Sequence, residues 1–322
     1  MSKYLKNLLS KIENPDASIV ADGIDGADVA GHIDTGSYVL NALLSGSIYG
    51  GLPNNKISCL AGDPATGKTF YAIGIAGQFL KDHKDGVVIY FDTEQAVTSD
   101  MFNARGVDPE RIAVIPVATI EEFKTQALKI VNDIIEQPEQ DRKPVFMILD
   151  SLGMLSTRKE MTDSAEGKDV RDMTKAQQTK ATFRVLTLKL GKAKIPMLLT
   201  NHTYQVIGSY VPTKELGGGI GLKYAASNIL TLSKSKDKTE DGVVGNFIKC
   251  TNYKNRFVKE NMQVETRLNY TSGLSRYYGL TDLAIKYGIF KKVSTRIELP
   301  DGTKVFEKNI DDIQKSIILK IS

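Results

Sequence analysis

Residues 62 to 69 read GDPATGKT, which fits the pattern Gly-x-x-x-x-Gly-Lys-Ser/Thr at every fixed position. The preceding ISCLA (57–61) reads as a strand, and the following residues read as a helix through Gln78. Glycines in such a loop let backbone N–H groups face a phosphate, and the helix N-terminus adds partial positive charge. We therefore interpret this stretch as a phosphate-binding loop made of Gly62, Asp63, Pro64, Ala65, Thr66, Gly67, Lys68 and Thr69.

Two side chains of this loop can act on a bound nucleotide. Lys68 can reach the outer phosphates, and the Thr69 hydroxyl can bind Mg²⁺. Such sites hold a further carboxylate on the magnesium side, at the end of a neighbouring strand. Asp150 ends the apolar run VFMILD (145–150) and is our candidate for that carboxylate.

Two more carboxylates end another predicted strand, in YFDTEQ (90–95). A carboxylate near the terminal phosphate could orient and deprotonate an attacking water. Alternation along a strand puts Asp92 and Glu94 on the same face. The residues alone therefore leave both as candidates for the general base.

The elements that must position these side chains alternate between apolar strands and helices. Continuous apolar strands of this kind are typical of a parallel sheet covered by helices on both faces, so we predict an α/β fold. After residue 227 the pattern favours antiparallel strands, with KSKDKTEDG (234–242) as a solvated hairpin loop. The predicted strands are 57–61, 87–92, 112–117, 145–150 and 196–200, and the longer predicted helices are 120–136, 171–192 and 279–288.

Three domains follow from this pattern. Residues 1–31 form a short arm, made of an amphipathic helix and a predicted strand, SIVADG (18–23). This arm is too small for a core of its own, so its apolar face must pack on its own chain or on a neighbouring subunit. Residues 32–290 form the main core. Residues 291–322 form a small extension, with a hairpin around Pro300-Asp301-Gly302 and a final helix.

The composition indicates a globular protein of the cytoplasm. The chain has 322 residues, a net charge of +4, and no apolar run of membrane-spanning length. This mild basic bias permits an anionic partner without requiring one. Cys59 and Cys250 lie in separate apolar stretches and read as reduced core residues. The three histidines are scattered, so no zinc site is predicted.

The motifs GDPATGKT, FDTEQ, MILDS, TNHTY and GGGIGLKYAAS occur in this order, and with them the chain resembles the RecA family of DNA strand-exchange recombinases. It looks most similar to the bacteriophage UvsX branch, over about residues 33 to 290. The resemblance implies a RecA-like ATPase core that uses ATP and Mg²⁺ at a subunit interface. It further implies filaments on single-stranded DNA, pairing with homologous duplex DNA, and a mediator and a single-strand-binding protein as further partners. The implied location is a bacterial or phage-infected cytosol.

Within this family, Glu94 corresponds to the general base and His202 to a residue that reads the terminal phosphate. Lys254 and Arg256 correspond to a segment that reaches the neighbouring subunit's ATP. They are two apart, so on a strand both would point the same way, although an exposed solvated face would look alike. The resemblance also assigns Lys223 to the adjacent subunit's nucleotide. Where bacterial members stack a tyrosine on adenine, this chain has Met101, with Phe102 beside it.

Two segments are candidates for DNA contact. The first, 156–172, is rich in charge and is expected to be mobile; it supplies Arg158, Lys159 and Arg171. The second, 203–219, is apolar and aromatic without belonging to the core, which is typical of a segment that stacks on bases. Its candidates are Tyr204, Val206, Ile207 and Tyr210, with Gly217, Gly218 and Gly219 as a hinge. The following helix offers Arg171, Lys175 and Arg184 for DNA phosphates, although a solvated helix face explains each one alone equally simply.

Two other functions share parts of this pattern. A hexameric ring motor, such as a replicative helicase, uses the same ATPase core, but the arm of about 31 residues is too short for the extra N-terminal domain of helicases. A small-molecule kinase also uses a phosphate loop, but the sequence has no obvious arginine-rich lid and such an enzyme would not need cations at 254 and 256.

Overall fold

The structure is a computed structural model that describes residues 3–14, 16–168, 172–205, 214–217, 220–240 and 242–306. Six of the candidate DNA-contacting residues lie outside these ranges: Arg171, Val206, Ile207, Tyr210, Gly218 and Gly219. Among the described residues, no helix combines the length and the apolar character needed to cross a membrane.

Helices and strands occur throughout the described residues. The α-helices are α1 (Lys3–Leu9), α2 (Tyr38–Ser45), α3 (Lys68–Asp82), α4 (Ser99–Asn103), α5 (Ile120–Glu136), α6 (Arg158–Ala165), α7 (Lys175–Ala193), α8 (Ile220–Ala225) and α9 (Leu280–Lys286). The strands are β1 (His32–Ile33), β2 (Leu52–Pro53), β3 (Ile57–Gly62), β4 (Val87–Asp92), β5 (Ile112–Pro116), β6 (Val145–Asp150), β7 (Met197–Gln205), β8 (Lys214–Leu216), β9 (Asn228–Thr239), β10 (Gly242–Asn255), β11 (Gln263–Asn269), β12 (Gly273–Leu274), β13 (Lys291–Val293), β14 (Arg296–Glu298) and β15 (Lys304–Phe306).

A ten-stranded sheet organises the molecule, with the order β12-β11-β10-β9-β3-β7-β6-β4-β5 and β8 paired to β7. The strands from β9 through β5 in this order are mutually parallel, whereas β10, β11 and β12 are antiparallel. This arrangement confirms the predicted fold class, a mostly parallel sheet with an antiparallel C-terminal part.

Each face of the sheet is covered by its own hydrophobic core, and alternate residues of a strand point into one core or the other. Met147 and Leu149 of β6 pack on one face with residues of α5 and α7. Phe146 and Ile148 pack on the other face, with residues of α2 and α3. A strand buried on both faces needs apolar residues at every position, which is why β6 reads as a continuous apolar run.

The register brings the last residues of β3, β4 and β6 to one edge of the sheet, together with His202 in the second half of β7. Gly62 of β3 lies opposite His202 of β7, and Asp92 of β4 lies opposite Asp150 of β6. Parallel strands end on the same side, so these four residues share the carboxyl edge.

Three expectations about local structure are wrong. The predicted strand 18–23 contains a short 3₁₀ helix, Val20–Asp22. The segment expected to be mobile contains α6, because Thr157 and Glu160 form a capping box and Thr157 Oγ1 donates to Asp172. The predicted loop 234–242 is largely strand, since β9 and β10 pair as far as Thr239 and Gly242.

The two ends of the chain differ in what the structure describes. In the arm, α1 ends at Leu9, and Leu5 and Leu8 are more than a third exposed. The arm contacts its own core through Lys192 with Asp16 and through Asn55 with the Asp28 carbonyl. In the extension, the predicted hairpin is confirmed by the pairing of β14 with β15, and the predicted final helix lies outside the described residues.

Candidate functional site

The phosphate loop connects β3 to α3 and requires glycine at two places. Gly67 has φ of 94°, a left-handed conformation that side chains other than hydrogen disfavour. A Cβ at Gly62 would lie 2.8 Å from the Leu232 carbonyl oxygen. The structure thus gives a physical reason for both fixed glycines of the motif.

Lys68 lies at the centre of this loop and is largely buried. Its ammonium group donates to the carbonyls of Gly62 at 2.9 Å and Asp63 at 3.0 Å. Burial lowers the pKa of Lys68, and the carboxylates of Asp150, Glu94 and Asp63 oppose that shift. A cation held in this way can exchange a carbonyl for a phosphate oxygen.

Thr69 and Asp150 form the candidate magnesium site. The Thr69 hydroxyl donates to Asp150 Oδ2 at 2.7 Å, and Tyr90 donates to the same oxygen at 2.6 Å. Thr200 donates to the other carboxylate oxygen. Oxygen ligands suit Mg²⁺, which commonly binds through one or two carboxylates together with substrate phosphates. Within the described ranges, no group of three or more His, Cys, Asp or Glu side chains could hold a metal ion. The hydroxyl of Thr69 and the carboxylate of Asp150 suit a metal ion that takes its other ligands from phosphates.

Glu94, Ser151 and His202 meet beside this pair. The Ser151 hydroxyl donates to Glu94 Oε1 at 3.0 Å and lies 3.3 Å from His202 Nε2. His202 Nε2 is also 3.6 Å from Glu94 Oε1. The Glu94 side chain is 38% exposed, so its carboxylate can meet a water molecule and serve as a general base.

The structure distinguishes Asp92 from Glu94, which the alternation of strand residues left as equal candidates for the general base. Asp92 is buried, and its oxygens accept the backbone N–H groups of Glu94 at 3.1 Å and Val97 at 3.3 Å. Asp92 therefore shapes the turn after β4, whereas Glu94 is partly exposed beside Ser151. This geometry favours Glu94 over Asp92 as the candidate base.

The two adenine candidates lie in different surroundings. Phe102 is 5% exposed and packs edge-to-face on Tyr90, with ring centroids 5.8 Å apart. This ring belongs to the core, which does not favour the predicted contact of Phe102 with a nucleotide. Met101 is only partly buried, and its carbonyl accepts a hydrogen bond from Arg105. Met101 remains the candidate adenine contact.

Lys254 and Arg256 both reach the C-terminal end of α8. Lys254 donates to the carbonyls of Lys223 and Ala226, and Arg256 donates to the Tyr224 carbonyl at 3.0 Å. Cations are favourable at such a helix end. Burial lowers the pKa of Lys254, and the neighbouring Arg256 lowers it further.

The end of α8 that these two cations contact lies near the start of β3, away from the phosphate loop of the same chain. Ser227, which follows α8, donates to the carbonyl of Ile57 at the start of β3, and the phosphate loop begins at the other end of that strand. Six strand residues span about 17 Å. Lys223 lies in the same cluster, with its ammonium 5.5 Å from the Tyr253 ring centroid.

The second candidate segment for DNA contact, residues 203–219, is called the Tyr204 segment. It begins on β7, and β8 near its end pairs with β7. Tyr204, which is 56% exposed, lies opposite Glu215 in the β7–β8 pairing. Gly217 accepts from Asn201 at 2.7 Å and donates to the His202 carbonyl at 2.9 Å. A Cβ at Gly217 would lie 2.9 Å from the Tyr204 ring. Gly217 is thus fixed by close packing and is not a hinge, which corrects that expectation.

The basic candidates for phosphate contact lie on α6 and α7. Lys159 pairs with Asp163 at 3.6 Å, and Lys175 pairs with Glu160 at 3.5 Å. The lysines of these pairs are at least a third exposed, and ion pairs near the surface contribute little to stability, so a DNA phosphate can replace the carboxylate at low cost. Arg158 and Arg184 are exposed.

Sequence reasoning missed three members of this site: Ser151, Tyr90 and Thr200. Ser151 directly follows Asp150, the last residue of its strand, and this position at the sheet edge could have identified it as a site residue. Thr200 is polar at the end of the apolar run PMLLT, which was another. Tyr90 fits a β-strand by propensity, so nothing in the sequence distinguished it from a core residue.

A family model and individual proteins of known function both match this chain. The family model for the RecA N-terminal domain matches residues 3–275. The recombination and repair protein of Enterobacteria phage T4 is 31% identical over 256 residues, which are 79% of this chain and 63% of that protein. Protein RecA of Agrobacterium fabrum is 30% identical over 266 residues, covering 81% of this chain and 68% of its own length. Protein RecA of Bartonella bacilliformis is 31% identical over 268 residues, with shares of 81% and 71%.

The chain thus spans less than two thirds of the T4 protein's length, and the match covers the phosphate loop, the paired strand ends and the cations at 254 and 256. From the extent of the family match and the geometry of this sheet edge, the chain belongs to the RecA N-terminal domain family.

Proposed function

We propose that this chain is an ATP-dependent recombinase that forms filaments on single-stranded DNA and pairs it with homologous duplex DNA. RecA-family proteins are DNA-dependent ATPases that use ATP with Mg²⁺. The observation that carries the proposal is that the Glu94, Ser151 and His202 contacts lie at the root of the Tyr204 segment. A helicase ring is not favoured by the relatives.

In the proposed reaction, each side chain of the sheet edge has one task. Lys68 binds the outer phosphates of ATP, and Thr69 with Asp150 holds Mg²⁺, which neutralises phosphate charge. Glu94 accepts a proton from the attacking water. His202 belongs to β7, the strand that continues to Tyr204, and its ring lies beside Glu94, so it is placed to respond to the terminal phosphate. Met101 covers the adenine.

The site is proposed to be completed by a second copy of the chain. Lys254 and Arg256 bind carbonyls at the end of α8, and fixed cations there can stabilise negative charge on the terminal phosphate of a neighbour's ATP. Lys223 belongs to the same surface. Head-to-tail contacts of this kind, repeated without closure, generate a filament. The exposed leucines of α1 make the 1–31 arm a further candidate contact between copies.

DNA is proposed to bind along the segment that starts at Tyr204. Its exposed ring offers a stacking surface for any base, which suits a protein without sequence preference. Arg158, Lys159, Lys175 and Arg184 are the described candidates for DNA phosphates, together with Arg171 outside the described ranges. A mediator and a single-strand-binding protein are further proposed partners.

The direct test is ATP hydrolysis with and without single-stranded DNA, for the wild type and Glu94→Gln. We expect DNA to raise the wild-type rate strongly. Glu94→Gln should lose about 10²-fold or more of that rate while still binding ATP, because the amide keeps the shape and loses the base. A wild-type rate that ignores DNA would refute the proposal, as would an unimpaired Glu94→Gln variant.

A further inference from the structure

A hydrogen bond joins the phosphate loop to the root of the Tyr204 segment, and neither motif predicts it. Thr203 Oγ1 donates to Asp63 Oδ1 at 2.8 Å. Gly62 lies opposite His202 in the parallel pairing of β3 with β7. Residue 63 therefore comes next to residue 203 through the sheet register, although the two are 140 positions apart in the chain.

Phosphate binding alone does not explain an acidic side chain at this position. A carboxylate near a polyphosphate repels it, and Asp150 and Glu94 precede Asp63 among the carboxylates that oppose the lowering of the Lys68 pKa. The contact with Thr203 gives this carboxylate a role that lies outside phosphate binding.

The same residue is linked to the phosphate loop through its backbone. Lys68 donates to the Asp63 carbonyl at 3.0 Å, and an incoming phosphate competes with that carbonyl for the ammonium protons. The Asp63 carbonyl that Lys68 contacts and the Asp63 carboxylate that Thr203 contacts belong to one residue, so the two hydrogen bonds are linked through Asp63. Thr203 immediately precedes Tyr204, so the connection from nucleotide to DNA segment spans two side chains.

This connection is separate from the one through His202. Successive residues of a strand point to opposite faces, and His202 contacts Ser151 whereas Thr203 contacts Asp63. A change at Thr203 can therefore alter this connection while the Glu94, Ser151 and His202 contacts stay in place.

We propose that Asp63 and Thr203 are positioning residues that couple the phosphate loop to the Tyr204 segment, so that ATP strengthens DNA binding through their hydrogen bond. The inference rests on the proposed function, because it assumes that the segment binds DNA. Coupling of this kind is measured as the DNA affinity in the presence of an ATP analogue divided by the DNA affinity in the presence of ADP. By linkage, DNA changes the nucleotide affinities by the same factor.

The test measures binding of a labelled oligo-dT by fluorescence anisotropy, in the presence of a non-hydrolysable ATP analogue and of ADP. The variant Thr203→Val removes the hydroxyl and keeps the branched shape that a strand favours. We expect the affinity ratio to fall about 3- to 10-fold, since the hydrogen bond has a charged but partly exposed acceptor.

Four further variants make the test specific. Thr231→Val is the matched control on β9, on the other side of β3, where the hydroxyl faces the Thr251 carbonyl at 3.5 Å; it should keep the wild-type ratio. Asp63→Asn keeps an acceptor oxygen and should retain most of the ratio, whereas Asp63→Ala should lose as much as Thr203→Val. The double variant Asp63→Ala/Thr203→Val should lose no more than either single one.

The outcomes separate the inference from the proposed function. A wild-type ratio near one would refute the proposed function itself. A normal wild-type ratio that Thr203→Val leaves unchanged would overturn this inference alone. Equal losses in Thr203→Val and Thr231→Val would overturn it as well, because the effect would then not depend on the Asp63 contact.

Discussion

The Ser151 hydroxyl donates a hydrogen bond of 3.0 Å to the carboxylate of Glu94. A hydroxyl carries one proton, so the contact with His202 Nε2 at 3.3 Å requires the imidazole to be the donor. Ser151 thereby aligns the candidate base and fits the His202 tautomer that carries its proton on Nε2.

Removing this hydroxyl should slow hydrolysis more than it weakens nucleotide binding. We expect Ser151→Ala to lower kcat about tenfold, which corresponds to one hydrogen bond to a charged group, with a small change in KM. Steady-state kinetics with single-stranded DNA present would measure both constants. Ser164→Ala, on the exposed end of α6, is the control and should match the wild type. An unchanged kcat in Ser151→Ala would contradict the alignment.

The core position of Phe102 and the partial exposure of Met101 predict opposite effects of truncation. Phe102→Ala should lower the free energy of unfolding by about 3–5 kcal/mol, because it leaves a cavity against Tyr90. Met101→Ala should cost less stability and should weaken ATP binding more. Chemical denaturation and nucleotide titration measure the two effects. If Phe102→Ala were as stable as the wild type, the core assignment would be wrong.

The buried position of Lys68 predicts a pH dependence of nucleotide binding. Burial lowers the pKa of Lys68 below its ordinary value of 10.5. As pH rises through that lowered pKa, the ammonium becomes neutral and its attraction to phosphate is lost, so affinity should fall at a pH below 10.5. Bound phosphate favours the charged form, so binding in this range should take up protons. Titration of a non-hydrolysable ATP analogue between pH 7 and 10.5 tests this, and a flat affinity would contradict it.

Two tyrosines of similar exposure should respond differently to DNA. Tyr204 is 56% exposed at the root of the DNA segment, and Tyr49 is 54% exposed near α2. Tyr204→Ala should weaken binding of single-stranded DNA by about tenfold, the effect of one lost stacking contact. Tyr49→Ala should have no effect in the same anisotropy assay. Equal effects of both substitutions would remove Tyr204 from the interface.

The sequence predicted the phosphate loop and the magnesium carboxylate because both lie in short local patterns. Gly62 and Asp150 were identifiable because a strand delivers each of them to the sheet edge, and Lys68 was identifiable because it follows the second fixed glycine of the motif at the start of α3. The base was not identifiable from the residues alone, since alternation treats Asp92 and Glu94 alike. The hydrogen bonds that the Asp92 carboxylate accepts from backbone N–H groups of the following turn distinguish it from Glu94.

Other features depend on register or on overlooked local signals. The contact between Asp63 and Thr203 needs the pairing of β3 with β7, which no local pattern reveals. The capping box of Thr157 and Glu160 was readable in the sequence, but the high charge of that segment suggested mobility. The hairpin of β9 and β10 extends through charged residues because Asp237 is buried and pairs with Arg267 at 2.6 Å.

The central claim is that two copies of the chain form each ATP site, one supplying Glu94 and the other supplying Lys254 and Arg256. The most direct measurement mixes two variants, Glu94→Gln and Lys254→Ala/Arg256→Ala, each of which should hydrolyse ATP poorly by itself. In a one-to-one mixture with single-stranded DNA, about a quarter of head-to-tail contacts join an intact base to intact cations. The account therefore predicts recovery of about a quarter of the wild-type rate. A mixture as inactive as its components would contradict it.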